Sequence, residues 1–289
     1  MAEGKVIRAI SGFFDIYDTG VVRRCRARGV FKKQGVTVLV GDEVEYEPIG
    51  QQEGIVNSVK PRQTELIRPP IANVNHVLVV FSYVTPDLNL LMVDKTIAAA
   101  IIAGVTPSLV LTKRDLASLP EAEQVVDIYR ECGLEVVSIS TKEASSVDLV
   151  RALMQGKTNV VAGPSGAGKS TLANALAPGL ALKMGAVSEK IGRGRQTTRH
   201  VELFQLDAET WLADAPGFSQ LQLNVESRAL RNYFPDFAAF DCPYRGCLHM
   251  DEESCLVKAA AESGQLASSR YENYRQIYQE IREREERMY

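Results

Sequence analysis

The first 70 residues fall into short runs rich in β-branched and aromatic residues. "KVIRAISGFFDIYD", "VVRRCRARGVFK", "VTVLVGDEVEYEPI" and "EGIVNSVKPR" are separated by Gly and Asp turns. This is the pattern of a small all-β barrel. "RPPIANV" predicts a proline hinge at Pro69-Pro70. From residue 74 the pattern changes. "VNHVLVVFS" is a continuous apolar run, as expected of a strand buried on both faces. A helical stretch "NLLMVDKTIAAAIIAG" follows and stops at Gly104. Strand "PSLVLT", helix "EAEQVVDIYRECG", strand "EVVSIS" and helix "SSVDLVRALMQG" continue the alternation, with Gly133 and Gly156 as stops. Strand "TNVVAG" enters a Gly-rich loop and the helix "KSTLANALA"; "HVELFQL" and "ETWLADAPG" come later. The alternation predicts a doubly wound, mostly parallel α/β sheet.

Past residue 220 the strand signals stop. "SRALRNYFPDF" is aromatic and basic, and 266–289 reads as helix with Tyr271, Tyr274, Tyr278 and Ile281 on one face, a core or docking stripe. The chain thus divides into a small β-barrel at 1–70, an α/β domain at 71–221 and a helical segment at 222–289. Its 289 residues, 45% apolar and 24% charged, suit a soluble multidomain protein. The N-terminus lacks a basic-then-apolar signal, and no apolar run nears the ~20 residues that span a bilayer. The expectation is a cytoplasmic monomer with no membrane contact. A net charge of −3 excludes a uniformly basic nucleic-acid binder but not a local basic face.

"GPSGAGKS" matches the phosphate-loop pattern G-x-x-x-x-G-K-[ST] at every fixed position. Its residues are Gly163, Pro164, Ser165, Gly166, Ala167, Gly168, Lys169 and Ser170, with Thr171 next. Gly166 and Gly168 let successive N–H groups turn toward phosphates, and the following helix adds its positive end. Lys169 suits the β- and γ-phosphate oxygens, and the Ser170 hydroxyl suits Mg²⁺. The loop alone does not distinguish ATP from GTP.

"TKRD" supplies the base: Thr112, Lys113, Arg114 and Asp115 end a strand. A carboxylate accepts from guanine N1–H and the N2 amine together, whereas adenine leaves it unpaired, at a cost of ~1–3 kcal/mol. The Lys113 stem can lie over the base. Asn is usual where Thr112 stands. A hydroxyl donates one hydrogen bond and is shorter, so weakened guanine affinity is expected without reversed specificity. "STK" at 140–142 resembles a loop whose backbone meets the guanine edge, placing Ser140 and Thr141 there.

"DAPG" ends the last strand. Asp214 suits Mg²⁺ through a water, and the Gly217 N–H suits the γ-phosphate. Phe218 follows, where a water-orienting Gln is common, so intrinsic hydrolysis is expected to be slow. "GRGRQTTRH" at 192–200 offers Thr197 or Thr198 to Mg²⁺ and Arg193, Arg195 and Arg199 to phosphate charge or RNA, or it is a solvated loop.

Three of the five cysteines cluster as Cys242-x₄-Cys247-x-His249-x₅-Cys255. Three thiolates and an imidazole form a closed set suited to one structural Zn²⁺. Cys25, Cys132, His76 and Trp211 lie in apolar contexts that predict core packing. Arg23, Arg24, Arg26, Arg28, Lys32 and Lys33 crowd one β-rich stretch, and Lys60, Arg62 and Arg68 follow. That face suits an RNA backbone or is merely solvated; Phe13, Phe14 and Phe31 suit base stacking or core.

The order is base reader, guanine-edge loop, phosphate loop, first switch, second switch, which is a circular permutation of the Ras-like order. With the barrel before and the Cys/His cluster after, the chain resembles the RsgA (YjeQ) family of small-ribosomal-subunit-dependent GTPases over essentially its whole length. The resemblance implies an OB-fold, a permuted GTPase domain and a zinc-binding helical domain, with GTP/GDP, the small ribosomal subunit and its rRNA as partners. It also implies a role in late maturation of that subunit, with hydrolysis stimulated by it. The family's first switch reads Gly-Arg-His-Thr-Thr; here Gln196 stands where the His, proposed to assist the attacking water, would be. An ATP-dependent kinase and a nucleotide-gated RNA adaptor with negligible hydrolysis are the competing readings.

Overall fold

A computed structural model describes residues 1–29, 31, 35–67, 69–177, 201–214 and 223–288. The chain forms two compact units: 1–77 with 154–161 and 170–220, and 78–153 with 162–169 and 221–289.

The first unit holds a five-stranded barrel: β1 (Ala2–Ile10), β2 (Phe13–Asp18), β3 (Val21–Ala27), β4 (Glu43–Ile49) and β5 (Glu53–Val59). β1, β2 and β3 pair antiparallel in sequence. β3 then pairs parallel with β5, β5 antiparallel with β4, and β4 returns to β1 through Ala2 opposite Tyr46. Closure removes the open edges that would otherwise invite aggregation. Alternate residues such as Val44 and Tyr46 point inward and pack with Val6, Ile16, Cys25 and Phe31.

A ribbon of β6 (Glu65–Ile67) and β7 (Pro70–Ala72) follows the barrel. The expected hinge is therefore an ordered hairpin, with Ile67 opposite Pro70. Pro70 opens its strand, a position where a missing N–H is tolerated. Ile71 is fully buried, and the Arg62 guanidinium grips the buried Asp42 carboxylate at 2.7 and 2.9 Å. The same unit contains most of β11 (Thr158–Ala162), together with β12 (Glu202–Gln205) and β13 (Trp211–Asp214). β11 runs parallel to β13, β12 antiparallel to it, and β12 meets β1 with Glu202 opposite Arg8. Buried Asn159 donates to Met154 O, Lys157 O and Trp211 O, and its Oδ1 accepts from His76 Nδ1 at 2.6 Å. His76 and Trp211 are core residues, as predicted.

The second unit carries most of β8 (His76–Ser82), with β9 (Thr106–Thr112) and β10 (Glu135–Ser138) in the order β10-β9-β8. Helices α1 (Leu90–Ile102), α2 (Leu119–Glu131) and α3 (Ala144–Met154) intervene. Asn89 caps α1 by accepting from Met92 N. Helix α4 (Lys169–Leu176) lies, from Ser170 on, in the first unit; the second unit continues with 3-10 turns at Ser227–Tyr233 and Pro235–Ala239 and helices α5 (Leu256–Ser263) and α6 (Ser268–Glu286). The aromatic stripe of α6 is core: Tyr274, Ile277, Tyr278 and Ile281 pack with Leu230, Phe234, Phe237 and Ala98 of α1.

A buried ionic centre joins these helices. Arg270 on α6 donates to Asp94 on α1 and to Asp236 at 2.8 Å. Burial works against the Arg270 charge, but the two aspartates outweigh it and hold its pKa well above the ordinary value. Burial pushes the Asp94 carboxyl up against the opposing pull of Arg270. Tyr129 OH (2.8 Å) and Asn273 Nδ2 (2.6 Å) also donate to Asp94. Breaking such a network costs more than its net contribution, because the remaining group stays buried and underpaired. Tyr129→Phe is expected to lower stability by ~1–2 kcal/mol in urea unfolding. An unchanged midpoint would show that Asp94 needs no third donor.

Candidate nucleotide site and metal centre

The phosphate loop begins where β11 ends. A Cβ on Gly163 would fall 1.9 Å from Val80 O, so only glycine fits there. Gly166 takes φ +82°, with Pro86 Cδ beside it. Ala167 is fully buried and pins the loop, while Leu172, Ala173 and Leu176 bury α4. Lys169 Nζ donates to Gly163 O at 2.9 Å and Pro164 O at 2.6 Å. Burial draws its pKa below the ordinary lysine value. A polyphosphate would offset that penalty. Ser165, Ser170 and Thr171 are exposed, and Pro164 and Gly168 are half-buried.

The base-reader residues meet this loop. Thr112 is buried, and its Oγ1 lies 2.7 Å from Ala167 O and 3.2 Å from Phe81 O. A hydroxyl has one proton. The shorter contact directs it at Ala167, which ties the base reader to the phosphate loop. Lys113 takes φ +61°, and its ammonium donates to Gly166 O at 3.0 Å, Val84 O at 3.4 Å and Thr85 O. Two adjacent carbonyls of the phosphate loop are thus bonded by two adjacent residues of the base reader.

Arg114 and Asp115 lie in a 3-10 turn. Arg114 Nη2 donates to Glu143 Oε2 at 3.1 Å, and Asp115 Oδ2 accepts from Lys142 Nζ at 2.5 Å. Hydrogen bonds from Lys142 and then Ser140 hold the Asp115 carboxyl below its ordinary range, as an anion. Ser140 is buried and Thr141 half-buried. The backbones agree: Arg114 N donates to Ile139 O, and Ile139 N to Leu111 O. Lys142 and Glu143 were missed as site residues from sequence. The signal was the reversed charge order of Arg114-Asp115 and Lys142-Glu143.

Asp214 ends β13, half-buried, with Glu202 opposite in the ladder. Burial, and then the Glu202 charge, raise its pKa. Ser170 and Asp214 offer hard oxygens of the kind Mg²⁺ prefers. Gln196, Thr197, Thr198 and Gly217, with Phe218 and the arginines at 193, 195 and 199, lie outside the described residues.

Near the C-terminus, one ligand atom each from Cys242, Cys247, His249 and Cys255 lies within 4.8 Å of the others. His249 Nδ1 is 3.4 Å from Cys255 Sγ and 3.6 Å from Cys242 Sγ. The surrounding scaffold explains the convergence. Arg231 donates to Cys247 O at 2.8 Å, Tyr274 OH to Leu248 O at 2.6 Å and Tyr271 OH to His249 O at 3.0 Å. Glu252 accepts from Leu248 N and Met250 N. Burial raises the Cys247 and Cys255 thiols and lowers His249. The set could bind a metal, and soft sulfur with one imidazole nitrogen suits zinc.

The basic face of the barrel is largely partnered. Arg24 meets Asp15 at 3.0 Å, Arg28 meets Glu47 at 3.4 Å, and Arg23 Nη1 donates to Tyr46 OH at 2.8 Å. Lys60 pairs with Glu3 and Arg62 with Asp42 and Glu65. Arg26 lies over the Phe13 ring at 4.5 Å. Phe31 is core, and Phe14 packs against the core. Lys32, Lys33 and Arg68 lie outside the described residues.

Comparison with known proteins adds to this geometry. The RsgA GTPase family model matches residues 59–224, and the RsgA N-terminal domain model matches 3–56. The small ribosomal subunit biogenesis GTPase RsgA of Geobacillus sp. (strain WCH70) is 43% identical over 99% of this chain and 100% of its own. The protein of the same name from Geobacillus thermodenitrificans (strain NG80-2) is 44% identical over the same shares. Among solved structures, YloQ, described as a circularly permuted GTPase, superposes with a TM-score of 0.83 at 37% identity, covering 98% of this chain and 96% of that one. YjeQ from Thermotoga maritima gives 0.85 at 31% identity, covering 97% and 98%.

Proposed function

The chain belongs to the RsgA GTPase family, and from that premise we propose that it hydrolyses GTP during late maturation of the small ribosomal subunit, stimulated by the subunit. The observation that carries this reading is the double tie between base reader and phosphate loop, Thr112 to Ala167 and Lys113 to Gly166. Loops separated in sequence meet where one nucleotide can engage both.

The proposed division of labour follows the chemistry of each group. Asp115 accepts from guanine N1–H and the N2 amine, the Lys113 stem covers the base, and Ser140 and Thr141 line its edge. Thr112 and Arg114 hold the loops. Residues Gly163 to Thr171 cradle the phosphates with backbone N–H groups. Lys169 exchanges two carbonyl partners for β- and γ-phosphate oxygens. Once the nucleotide has oriented these groups, they stabilise developing charge in the transition state without further reorganisation. Ser170 and Asp214 would hold Mg²⁺, with Thr197 or Thr198 and the Gly217 N–H at the γ-phosphate. When bound, that ion neutralises phosphate charge. Gln196 can orient water but is a poor base near neutral pH, and Phe218 does neither, which fits a site completed by the ribosomal partner.

The barrel at 1–70, with Arg26 on Phe13, is proposed to bind rRNA. The domain at 71–221 binds nucleotide, and the segment at 222–289 carries one structural Zn²⁺ on Cys242, Cys247, His249 and Cys255. A cytoplasmic monomer fits this role; among the described residues no helix is long and apolar enough to cross a membrane.

Asp115→Asn tests the base assignment. The amide puts a donor against guanine donors, so GDP affinity is expected to fall about 10–100-fold by titration while ADP binding changes little. An equal loss for both nucleotides would sink Asp115 as the base reader.

A further inference from the structure

The two guanine-side loops are joined by side chains in reverse order. Asp115 meets Lys142 at 2.5 Å and Arg114 meets Glu143 at 3.1 Å. Glu143 is fixed from its own helix, because its Oε2 accepts from Ser146 Oγ at 2.9 Å. Lys142 is steadied by its backbone N–H, which donates to Ser140 Oγ at 3.3 Å. The Lys142 side chain is 75% exposed and that of Asp115 25%. The pair therefore sits at the mouth of the base site, not under it.

A short carboxylate on an exposed turn rotates unless something holds it. Reading guanine requires both oxygens to face two donors at once. Lys142 contacts Oδ2 and is the stronger of two side-chain holds on this carboxylate, the other being a hydrogen bond from Ser140. Each carboxylate oxygen has two acceptor sites, so acceptor sites remain for a base beside these holds. We propose that Lys142 is a positioning residue for guanine recognition, holding Asp115 in its reading orientation. This rests on the assignment of Asp115 to guanine.

The test is GDP, IDP and ADP titration at low salt on the full chain. The variants are native, Lys142→Met, Lys142→Arg, Asp115→Ala and the Lys142→Met/Asp115→Ala double variant. Lys142→Met is expected to weaken GDP about three- to five-fold, in line with an exposed ion pair. It also narrows the preference for GDP over IDP, which lacks the N2 amine. Lys142→Arg restores both, Lys142→Met has no further effect once Asp115 is alanine, and raised salt shrinks the difference. Unchanged or tighter GDP binding in Lys142→Met overturns the proposal by making the lysine a bystander or a competitor. An equal loss in the Asp115→Ala background overturns it too, because the lysine would then act elsewhere on the nucleotide. A native chain that binds ADP as tightly as GDP overturns the guanine reading, and this proposal with it.

Discussion

Lys169→Ala is expected to reduce GTP turnover by about 10²–10³-fold, the scale of losing one preorganised donor to transition-state charge. The lysine is half-buried, and its ammonium is held on the Gly163 and Pro164 carbonyls. Burial already disfavours its charge. Phosphate oxygens therefore gain a cation that water competes for poorly. The loop itself should survive the substitution. Gly163, Ala167 and the ties from Thr112 and Lys113 shape it independently of Lys169. The separation of these roles is measurable. Single-turnover hydrolysis should collapse while the thermal midpoint of the empty protein holds or rises slightly. If turnover stayed within a few-fold of native, the cradle at Gly163–Thr171 would not be the hydrolytic site.

Removing metal from the Cys242, Cys247, His249 and Cys255 cluster is expected to have the larger effect on folding. Structural zinc sites bind with apparent free energies of ~10–16 kcal/mol near neutral pH, and that binding is coupled to folding. Here the ligands also sit inside an aromatic cluster. Phe237 and Tyr274 flank the His249 ring at 5.5 and 6.2 Å between centroids. Cys247 and Cys255 belong to the apolar core that covers Ala98 of α1. Chelation, or Cys255→Ser, is expected to open residues 242–255 to protease and to loosen α6. GDP binding should persist, because Thr112, Lys113 and the phosphate loop make no contact with the cluster through the bonds described. Metal analysis should return one zinc per native chain and much less in the variant. An unchanged digestion pattern after complete metal loss would contradict a structural role.

Motifs whose chemistry fixes their spacing were legible in the sequence. The phosphate loop, "TKRD" and the Cys/His cluster each need particular residue types at particular intervals, and the alternating strands and helices predicted the parallel strands that carry two of them. Features set by strand register or loop packing were not legible. The crowded arginines of β3 looked like a free basic face, but Arg24 pairs with Asp15 on the neighbouring strand and Arg28 with Glu47 on β4. Such partners lie across strands whose register the sequence does not state. Pro69-Pro70 suggested a hinge, but Ile71 supplied the burial that makes it a hairpin. Thr112 looked like a weakened base contact. Its hydroxyl also ties the strand end to Ala167 O, a contact that depends on a loop 55 residues away. The early placement of "TKRD" is explained by the fold: the permuted chain still delivers both loops to one place.

GTP hydrolysis gated by the small ribosomal subunit can be tested directly. The direct measurement is GTP and ATP turnover by the native chain and by Lys169→Ala, each with and without purified small subunits. Gated hydrolysis predicts slow native GTP turnover alone, a large increase with subunits, little ATP turnover in either case, and no stimulated activity in Lys169→Ala. GTP turnover that small subunits leave unchanged would contradict gating by the subunit, and ATP turnover that matches it would contradict guanine selectivity.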